Sequence, residues 1–424
     1  MANIAPKSLT IHTYDVGFGD CFLLSFHYAK FDRHVLIDFG TMKLPERKTV
    51  KGDYFGRIAE AIKQDCGGKL DVVVATHRHR DHISGFARKN GKGSGEVIRA
   101  LKPKLVIQPW TEDPTLPKTA TAPSQRGYAA TLLEMHHVAE RIVTAAKGLT
   151  GARFEALRAQ LKAIGEDNIQ NPDAVANLRT MAKNQFVYHG SNAGLGKILP
   201  GVKTTVLGPP TVKQAADVKK QRSADKDEFW HLMAGFWKNL AATKNAHNAG
   251  AKPLFPRHAT KALPRRTGWF KYTVMQEQAD SMMAIVRMLD KAMNNTSVIL
   301  LFEIKGKMIL FSGDAQYENW MYTLGKPELR KKLKRVDLYK VGHHGSLNAT
   351  PKTLWNGFAA KATSRKQGRL KTLLSTKKGV HGDTANKTEV PRRTLLGALR
   401  DNSDLINTEE FAPDALSQAV TLNF

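Results

Sequence analysis

Cysteine is scarce in this chain, and long hydrophobic runs are missing from it. Only Cys21 and Cys66 occur, without the spacing of a metal-binding pair, which argues against a disulfide framework and against a thiolate zinc site. No segment offers the roughly 18 consecutive apolar residues that a membrane span needs, and residues 1–17 lack the apolar core of a secretion signal. We therefore expect a cytoplasmic protein in a reducing environment, with no membrane among its partners.

Acidic residues are also few. The 424 residues include 65 Lys and Arg against 38 Asp and Glu, which gives a formal net charge of +27. A charge of this size concentrates anionic partners at the surface. We expect nucleic acid or another polyanion as the partner, whereas simple solubility and an acidic protein partner remain the alternatives.

Short apolar segments at both ends of the chain predict sheet structure. Residues 8–16, 21–27 and 34–38 are bounded by Gly or Asp and predict the strands of a meander. Helical periodicity follows at 55–65, and the apolar stretch LDVVVATH then predicts a buried strand. Near the other end, TSVILLFEIKGKMILFSGDA predicts two strands joined by a Lys-Gly-Lys turn. The alternation of strands and helices indicates the α/β class.

The middle of the chain has a different composition, rich in Ala, Lys, Arg and Leu. We interpret residues 112–293 as a basic, mainly helical insertion between two halves of one domain, at 1–111 and 294–424. Such an insertion could dock a protein partner, and the sequence does not predict an oligomeric state. Helical periodicity occurs at 128–147 and 226–241, and strand-like pieces occur near 185–190 and 202–208.

One short segment after the predicted buried strand contains three imidazoles and a carboxylate, in Thr76-His77-Arg78-His79-Arg80-Asp81-His82. Imidazole nitrogens and carboxylate oxygens suit zinc, iron or manganese, and this spacing can face two adjacent ions from one loop. The alternative is a surface turn of hydrogen-bonded histidines, but arginines beside unmetallated imidazoles would gain nothing obvious. We predict a metal site on His77, His79, Asp81 and His82.

This segment resembles the His-x-His-x-Asp-His motif of the metallo-β-lactamase superfamily. Three other segments resemble further motifs of that family, namely LIDFG with Asp38, FSGDA with Asp314, and YKVGHHGS with His343 and His344. The resemblance implies a four-layer αββα sandwich in which Asp314 bridges two divalent ions, Zn²⁺ or Mn²⁺, and Asp38 orients a ligand histidine. The implied metal ligands are His77, His79, Asp81, His82, Asp314 and His344.

A narrower resemblance is to the soluble domain of DNA-uptake competence proteins. It is carried by Asp15-Val16-Gly17-Phe18-Gly19-Asp20 and by His343-His344-Gly345-Ser346, and the motifs together cover roughly residues 8–110 and 294–410. Asp15 and Asp20 are expected to hold the metal ligands in place without being ligands themselves. His343 and Ser346 are expected on the substrate side.

Four other histidines and one missing histidine complete the prediction. His381, in the basic segment 361–400, is a candidate for contacting a substrate phosphate, whereas His136, His137 and His189 are expected to be structural. Most superfamily members place a further histidine just before the strand that begins here near Ser297, where this chain has Asn294-Asn295-Thr296. The first metal ion is therefore expected to be weakly held or completed by water.

The expected chemistry is metal-dependent hydrolysis, because two bridged ions lower the pKa of a bound water toward about 7 and make hydroxide available. The catalytic residues would be Asp81, Asp314 and His343. The resemblance and the positive charge favour a nuclease or phosphodiesterase acting on nucleic acid. The alternatives are an enzyme that hydrolyses a small ester, lactone or signalling nucleotide, and a binding module with a degraded metal site.

Overall fold

The computed structural model describes most of the two terminal parts of the chain and some of the middle. The predicted helices at 128–147 and 226–241, and with them His136 and His137, lie outside the described residues. Within the described residues, no helix is both long enough and apolar enough to cross a membrane. The described residues are 4–46, 52–115, 171–211, 293–382 and 389–424, with short pieces at 120–122, 125–126, 155, 214–215 and 277.

The N-terminal part alternates strands and helices. Its elements are β1 (Ser8–Tyr14), β2 (Cys21–His27), β3 (Asp32–Phe39), α1 (Tyr54–Asp65), β4 (Val72–Val74), α2 (Arg80–Ile83), α3 (Ser94–Ala100) and β5 (Leu105–Pro109). Helix α1 begins after Asp53, whose carboxylate accepts a hydrogen bond from the Gly56 amide and so caps the helix. The predicted helix at 55–65 and the three predicted strands of the meander are confirmed.

The remaining elements follow the gaps in the described residues. They are β6 (Ala120–Ala122), β7 (Gln125–Arg126), α4 (Pro172–Thr180), β8 (Lys183–Val187), β9 (Lys203–Gly208), β10 (Ile299–Ile304), β11 (Lys307–Phe311), α5 (Tyr317–Leu324), α6 (Pro327–Leu333), β12 (Leu338–Lys340), α7 (Lys352–Gly357), β13 (Lys371–Leu374), α8 (Arg393–Asn402), β14 (Asp404–Asn407) and β15 (Ser417–Asn423). Strands β10 and β11 form the predicted hairpin. Its turn residues Lys305 and Gly306 have φ values of 45° and 88°, as a two-residue hairpin turn requires.

Two mixed sheets organise these elements. One has seven strands in the order β15-β1-β2-β3-β4-β5-β8, and the other has six in the order β14-β13-β12-β11-β10-β9. In each sheet, antiparallel pairing on one side changes to parallel pairing on the other, at β3 in the first sheet and at β11 in the second. Because β15 pairs with β1, the end of the chain is part of the same sheet as its beginning.

The two strand-like pieces of the predicted insertion lie at sheet edges. Strand β8 runs parallel to β5 at one edge of the first sheet, and β9 runs antiparallel to β10 at one edge of the second. The described residues of the segment 112–293 therefore contribute one strand to each of these two sheets.

Apolar side chains are buried in three clusters. The first contains residues of both sheets, and the rings of Phe22 on β2 and Phe311 on β11 lie 5.5 Å apart within it. The second joins the other face of the first sheet to α1, α3 and α4, and the third joins the second sheet to α5, α6, α7 and α8. Successive residues of β2 belong to different clusters, as Phe22 and Leu23 do, because successive side chains of a strand point to opposite faces. The mixed α/β class is confirmed.

Candidate metal centre

The chemistry-bearing residues lie where strands end. Asp38 is near the end of β3, the segment 76–82 follows its parallel neighbour β4, and Asp314 follows β11. His343 and His344 follow β12, the parallel neighbour of β11. Because parallel neighbours end at the same edge of a sheet, each sheet brings two of these segments together.

Four side chains from the two halves of the chain meet in one buried group. Asp81, His82, Asp314 and His344 each offer a ligand atom within 4.8 Å of the other three. His344 Nε2 lies 2.7 Å from Asp81 Oδ2 and 3.5 Å from Asp314 Oδ2. His82 Nε2 lies 3.0 Å from the same Asp314 oxygen. The sequence prediction placed all four among the metal ligands, and the fold brings them together.

A second group adjoins the first. His77, His79 and Asp81 also offer ligand atoms within 4.8 Å of one another, and all three are buried. His77 Nε2 and His79 Nδ1 are 3.0 Å apart, and the rings of His77 and His82 lie 4.1 Å apart. Since Asp81 belongs to both groups, one loop supplies candidate ligand atoms to both of them.

The imidazoles at 82 and 344 are oriented by their second ring nitrogens. His82 Nδ1 lies 2.8 Å from Asp38 Oδ2, and His344 Nδ1 lies 3.0 Å from the Ser375 carbonyl oxygen. Because these acceptors need an N–H donor, each Nδ1 carries a proton, and each Nε2 is the ring nitrogen that faces the cluster. Asp38 therefore has the orienting position that the resemblance implied.

Thr76 extends this orientation to a third imidazole. Its amide and hydroxyl both donate to Asp38, at 2.7 Å each. Its hydroxyl oxygen lies 3.2 Å from His77 Nδ1 and can accept from that nitrogen while donating to Asp38. His77 Nε2 then also faces the cluster as a lone pair. Asp38 thus acts on His82 directly and on His77 through Thr76.

Two glycines allow other loops to pack against the metal-binding loop. A Cβ at Gly19 would lie 2.2 Å from the Gly40 carbonyl oxygen and 2.8 Å from that of Asp81. A Cβ at Gly40 would lie 2.5 Å from the His82 amide nitrogen. In the space so left, the Asp20 amide donates to the Asp81 carbonyl at 3.0 Å. Any larger residue at either glycine would displace the loop that carries Asp81 and His82.

Several buried atoms of the cluster lack a hydrogen-bond partner among the described residues, namely Asp81 Oδ1, His82 Nε2 and Asp314 Oδ2. His82 Nε2 and Asp314 Oδ2 are close but not aligned as a hydrogen bond. Buried polar atoms are normally paired, because leaving them unpaired costs about 1–3 kcal/mol each. Nitrogen and oxygen donors of this kind suit a divalent metal ion. The residues present therefore fit a metal ion.

The ionisation of two cluster members suits ligation. Burial holds the pKa of His77 well below its usual value, and the neighbouring His82 adds to the effect. Burial alone would raise the pKa of Asp314, but His82 and Lys340 hold it well below its usual range. A neutral imidazole and an ionised carboxylate are the forms that bind metal ions.

His82 is the point where a proton and a metal ion compete. Burial would lower the pKa of His82, but Asp314, Asp81 and Asp38 together raise it well above its usual value. These carboxylates therefore favour a positive charge at Nε2. Because ligation needs the neutral ring, a divalent ion held at Nε2 would take the place of the proton there.

A buried lysine, absent from the predicted site, lies behind the carboxylates. Lys340 at the end of β12 is 1% exposed, forms an ion pair with Asp20, and has its Nζ 3.4 Å from Asp314 Oδ1. Asp20 thus supports the site through Lys340. The signal in the sequence was a single charged residue within the apolar strand segment Leu338-Tyr339-Lys340-Val341, since lysine is almost never fully buried unless it is paired.

The predicted substrate-side histidine at 343 lies beside the cluster and is partly exposed. The His343 amide donates to Asp314 Oδ1 at 2.9 Å, and its ring Nδ1 lies 3.4 Å from Gln316 Nε2. His343 and His344 have φ values of 45° and 51°, a region that costs a non-glycine residue about 1–3 kcal/mol. The two adjacent imidazoles differ in their surroundings, because His344 is buried in the cluster and His343 is partly exposed. Ser346 follows on the same loop, and its amide donates to the His343 carbonyl.

Two other predicted residues lie further from the ligands. Asp15 accepts a hydrogen bond from the Gly17 amide at 3.1 Å and belongs to none of the three ligand groups found in the described residues. His381 lies 3.2 Å from Met42 Sδ, and its ring is 4.9 Å from that of Phe18. Phe18 in turn packs 4.2 Å from His344. His381 is therefore connected to the cluster through an aromatic ring.

The segment with the missing histidine also has a place in the site. Ser297 Oγ accepts a hydrogen bond from the Asp314 amide at 3.2 Å, and the Ser297 amide donates to the buried Asn294. This segment therefore positions the Asp314 backbone. His189 is structural, as predicted, because its Nδ1 lies 2.7 Å from the Leu207 carbonyl oxygen and its Nε2 lies 3.0 Å from Lys326 Nζ.

Two comparisons with known proteins complete the description of the site. No protein-family model matches the chain, and no curated protein matches it. A function is therefore proposed from the buried group of ligand atoms and the distances between them.

Proposed function

We propose that this protein is a metal-dependent hydrolase with a metallo-β-lactamase-type fold, and that it cleaves phosphodiester bonds in nucleic acid. The observation that carries the proposal is the convergence of Asp314 and His344 on the segment 77–82 in a buried group of nitrogen and oxygen donors. Chance placement of these side chains would bury charge without a use, at considerable cost.

The arrangement of the two sheets supports the proposed four-layer αββα sandwich. A shared apolar core lies between the sheets, and each sheet has helices packed against its other face. The site lies at the strand ends of both sheets, as the resemblance to the metallo-β-lactamase superfamily implies. The same motifs resemble the soluble domain of DNA-uptake competence proteins, which favours a nucleic-acid substrate.

Two divalent ions, Zn²⁺ or Mn²⁺, fit the two ligand groups. One would be held by His77 and His79 with carboxylate support, and the other by Asp81, His82, Asp314 and His344. When bound, such ions supply positive charge that polarises a phosphoryl group and lowers the pKa of water.

The protein's own residues define the rest of the site. Asp81 Oδ1 has no hydrogen-bond partner among the described residues, and it is available to orient a water molecule. His343 lies on the partly exposed side and can donate a hydrogen bond to a phosphate oxygen. Phe18 covers one face of His344 and excludes water from it.

The charge of the chain favours a polymeric anion as the substrate. The net charge is +27, and part of it lines a groove of about 490 Å³ beside α6 and α7. Arg330, Lys331 and Lys334 are exposed along this groove. Helix α5 begins three residues after Asp314 and is followed directly by α6. A short stretch of chain therefore joins the groove to the site. Phosphate contacts by such side chains would hold a nucleic-acid backbone.

The test is a hydrolysis panel of single- and double-stranded DNA, RNA, cyclic nucleotides, lactones and thioesters, each with Zn²⁺ or Mn²⁺ and with a chelator. We expect cleavage of nucleic acid only with metal. Binding should weaken steeply with salt, by about 10³-fold or more between roughly 50 and 200 mM if six or more phosphates are contacted.

Other results of the panel would assign a different function. Turnover of only a lactone, an ester or a cyclic nucleotide would identify a small-molecule hydrolase. If no substrate is hydrolysed with either metal and nucleic-acid capture survives the chelator, the protein is a binding module.

A further inference from the structure

We propose that Lys340, held by Asp20, is a positioning residue that fixes the Asp314 carboxylate so that only its Oδ2 faces the metal positions. The proposal rests on the metal-binding part of the proposed function and does not depend on the substrate. It assigns a role to a buried cation that the predicted site did not include.

The neighbours of Lys340 hold its charged Nζ in one position. Its Nζ forms an ion pair with Asp20, lies 3.2 Å from the Gly313 carbonyl oxygen and 3.4 Å from Asp314 Oδ1, and is 5.9 Å from the centre of the Phe22 ring. Lys340 and Asp20 are both buried. A lysine so enclosed cannot reach solvent or substrate, so any contribution to function must act through these neighbours.

The two oxygens of Asp314 have different partners. Oδ1 accepts a hydrogen bond from the His343 amide at 2.9 Å and faces Lys340. Oδ2 faces His82 at 3.0 Å and His344 at 3.5 Å. Rotation about the terminal carboxylate bond is soft, so without these anchors both oxygens could turn to a single ion. The anchors leave Oδ2 as the oxygen that faces His82 and His344.

Asp20 connects this anchor to the opposite side of the site. Its amide donates to the Asp81 carbonyl at 3.0 Å, and its carbonyl accepts from the Gly40 amide at 3.1 Å. Asp20 is thus fixed to the loop that carries Asp81 and His82, whereas Lys340 is on β12 in the other sheet. The ion pair therefore sets the distance between ligands supplied by the two halves of the chain.

If Lys340 only neutralised the neighbouring carboxylates, its removal would change metal affinity in the direction opposite to the one that a positioning role predicts. A fixed cation repels a metal ion nearby, so its removal would tighten metal binding if charge alone mattered. If Lys340 positions Asp314, its removal weakens metal binding, because residues that orient metal ligands typically contribute about 10–100-fold to affinity. The sign of the change separates the two roles.

The experiment measures the dissociation constant for Zn²⁺ by competition with a chelating dye, using the full chain. We expect Lys340→Met and Lys340→Gln to raise this constant by about 10-fold or more. The exposed lysine change Lys69→Met is the matched control and should leave it unchanged. An unchanged or lower dissociation constant in folded Lys340 variants would overturn the proposal. Co²⁺ bound in place of Zn²⁺ should show an altered absorption spectrum in these variants, since the geometry of the ligands changes.

A crystal structure of the wild-type protein with Zn²⁺ tests the same claim without relying on the folding of a variant. The proposal expects Asp314 Oδ1 to remain on Lys340 and Oδ2 alone to contact metal. Binding of one ion by both oxygens would reject it.

Failure of this proposal can be told apart from failure of the proposed function. If the wild-type protein binds Zn²⁺ and the Lys340 variants bind it less tightly, the positioning role stands even when no substrate is hydrolysed. If the wild-type protein cleaves nucleic acid and the variants bind Zn²⁺ normally, only the positioning role is rejected.

Discussion

Asp314→Ala is expected to lower metal-dependent hydrolysis by about 10³-fold or more while leaving nucleic-acid binding near the wild-type level. Asp314 Oδ2 is the atom that faces both His82 and His344, so its loss removes a carboxylate from the buried group in which the two halves of the chain meet. Metal ions stabilise transition-state charge by several kcal/mol, and each 1.4 kcal/mol corresponds to about tenfold in rate. The measurement is the initial rate of cleavage at saturating metal, together with the affinity for the same nucleic acid.

The matched control for this change is Asp401→Ala, because Asp401 is an exposed aspartate in helix α8 and belongs to none of the ligand groups found in the described residues. Its rate should stay within about twofold of the wild type, since substitutions away from special features are usually close to neutral. Circular dichroism should show that Asp314→Ala is folded. If folded Asp314→Ala retained its turnover, the assigned site would be rejected.

Removal of metal is expected to lower the thermal stability of the protein. Asp20, Asp38, Asp81 and Asp314 are buried close together, and Lys340 forms ion pairs with two of them. Bound cations offset the mutual repulsion of these carboxylates. A ligand present at about 1,000 times its dissociation constant stabilises the folded state by about 4 kcal/mol. Melting curves with Zn²⁺ and with a chelator should therefore differ by several degrees.

The difference between the two melting curves should depend on the cluster. We expect His82→Ala to reduce it strongly, because His82 belongs to the buried group that joins the two halves. His27→Ala is a suitable control, since His27 pairs with Asp32 away from the site. Identical melting temperatures with and without chelator in the wild-type protein would contradict a buried metal centre.

Much of the fold and part of the site could be predicted because their signals are local. The strands at 8–16, 21–27 and 34–38 and the helix at 55–65 each follow from apolar spacing within a few residues. The turn at Lys305 and Gly306 follows from two residues alone. The ligand-rich segment at 77–82 is continuous in sequence. Its metal-binding chemistry could therefore be predicted without knowing the distances between its side chains.

The rest of the site depends on contacts between distant parts of the chain. Asp81 and His344 lie 2.7 Å apart although 263 positions separate them, and only the motif resemblance indicated that they would meet. The orienting role of Thr76 depends on Asp38, 38 positions earlier. Neither pairing has a periodic signal, because Asp81 meets His344 only when the two sheets pack and Thr76 meets Asp38 only when β3 and β4 pair.

Lys340 and the edge strands show a second reason for incomplete prediction. The ion pair of Lys340 with Asp20 forms only when the two sheets come together, so a charged residue in an apolar strand could not be assigned a partner in advance. Strands β8 and β9 were expected within a helical insertion, and their apolar pattern alone did not indicate which sheet each would join.

The proposed metal centre lies where Asp314 and His344 meet the segment 77–82. Its position can be measured by anomalous diffraction from crystals grown with Zn²⁺, recorded on both sides of the metal absorption edge. We predict one peak within about 2.0–2.3 Å of His82 Nε2, Asp314 Oδ2 and His344 Nε2, and a second beside His77 and His79. Zinc peaks found only elsewhere in the molecule, with this cluster lacking density for metal, would contradict the claim.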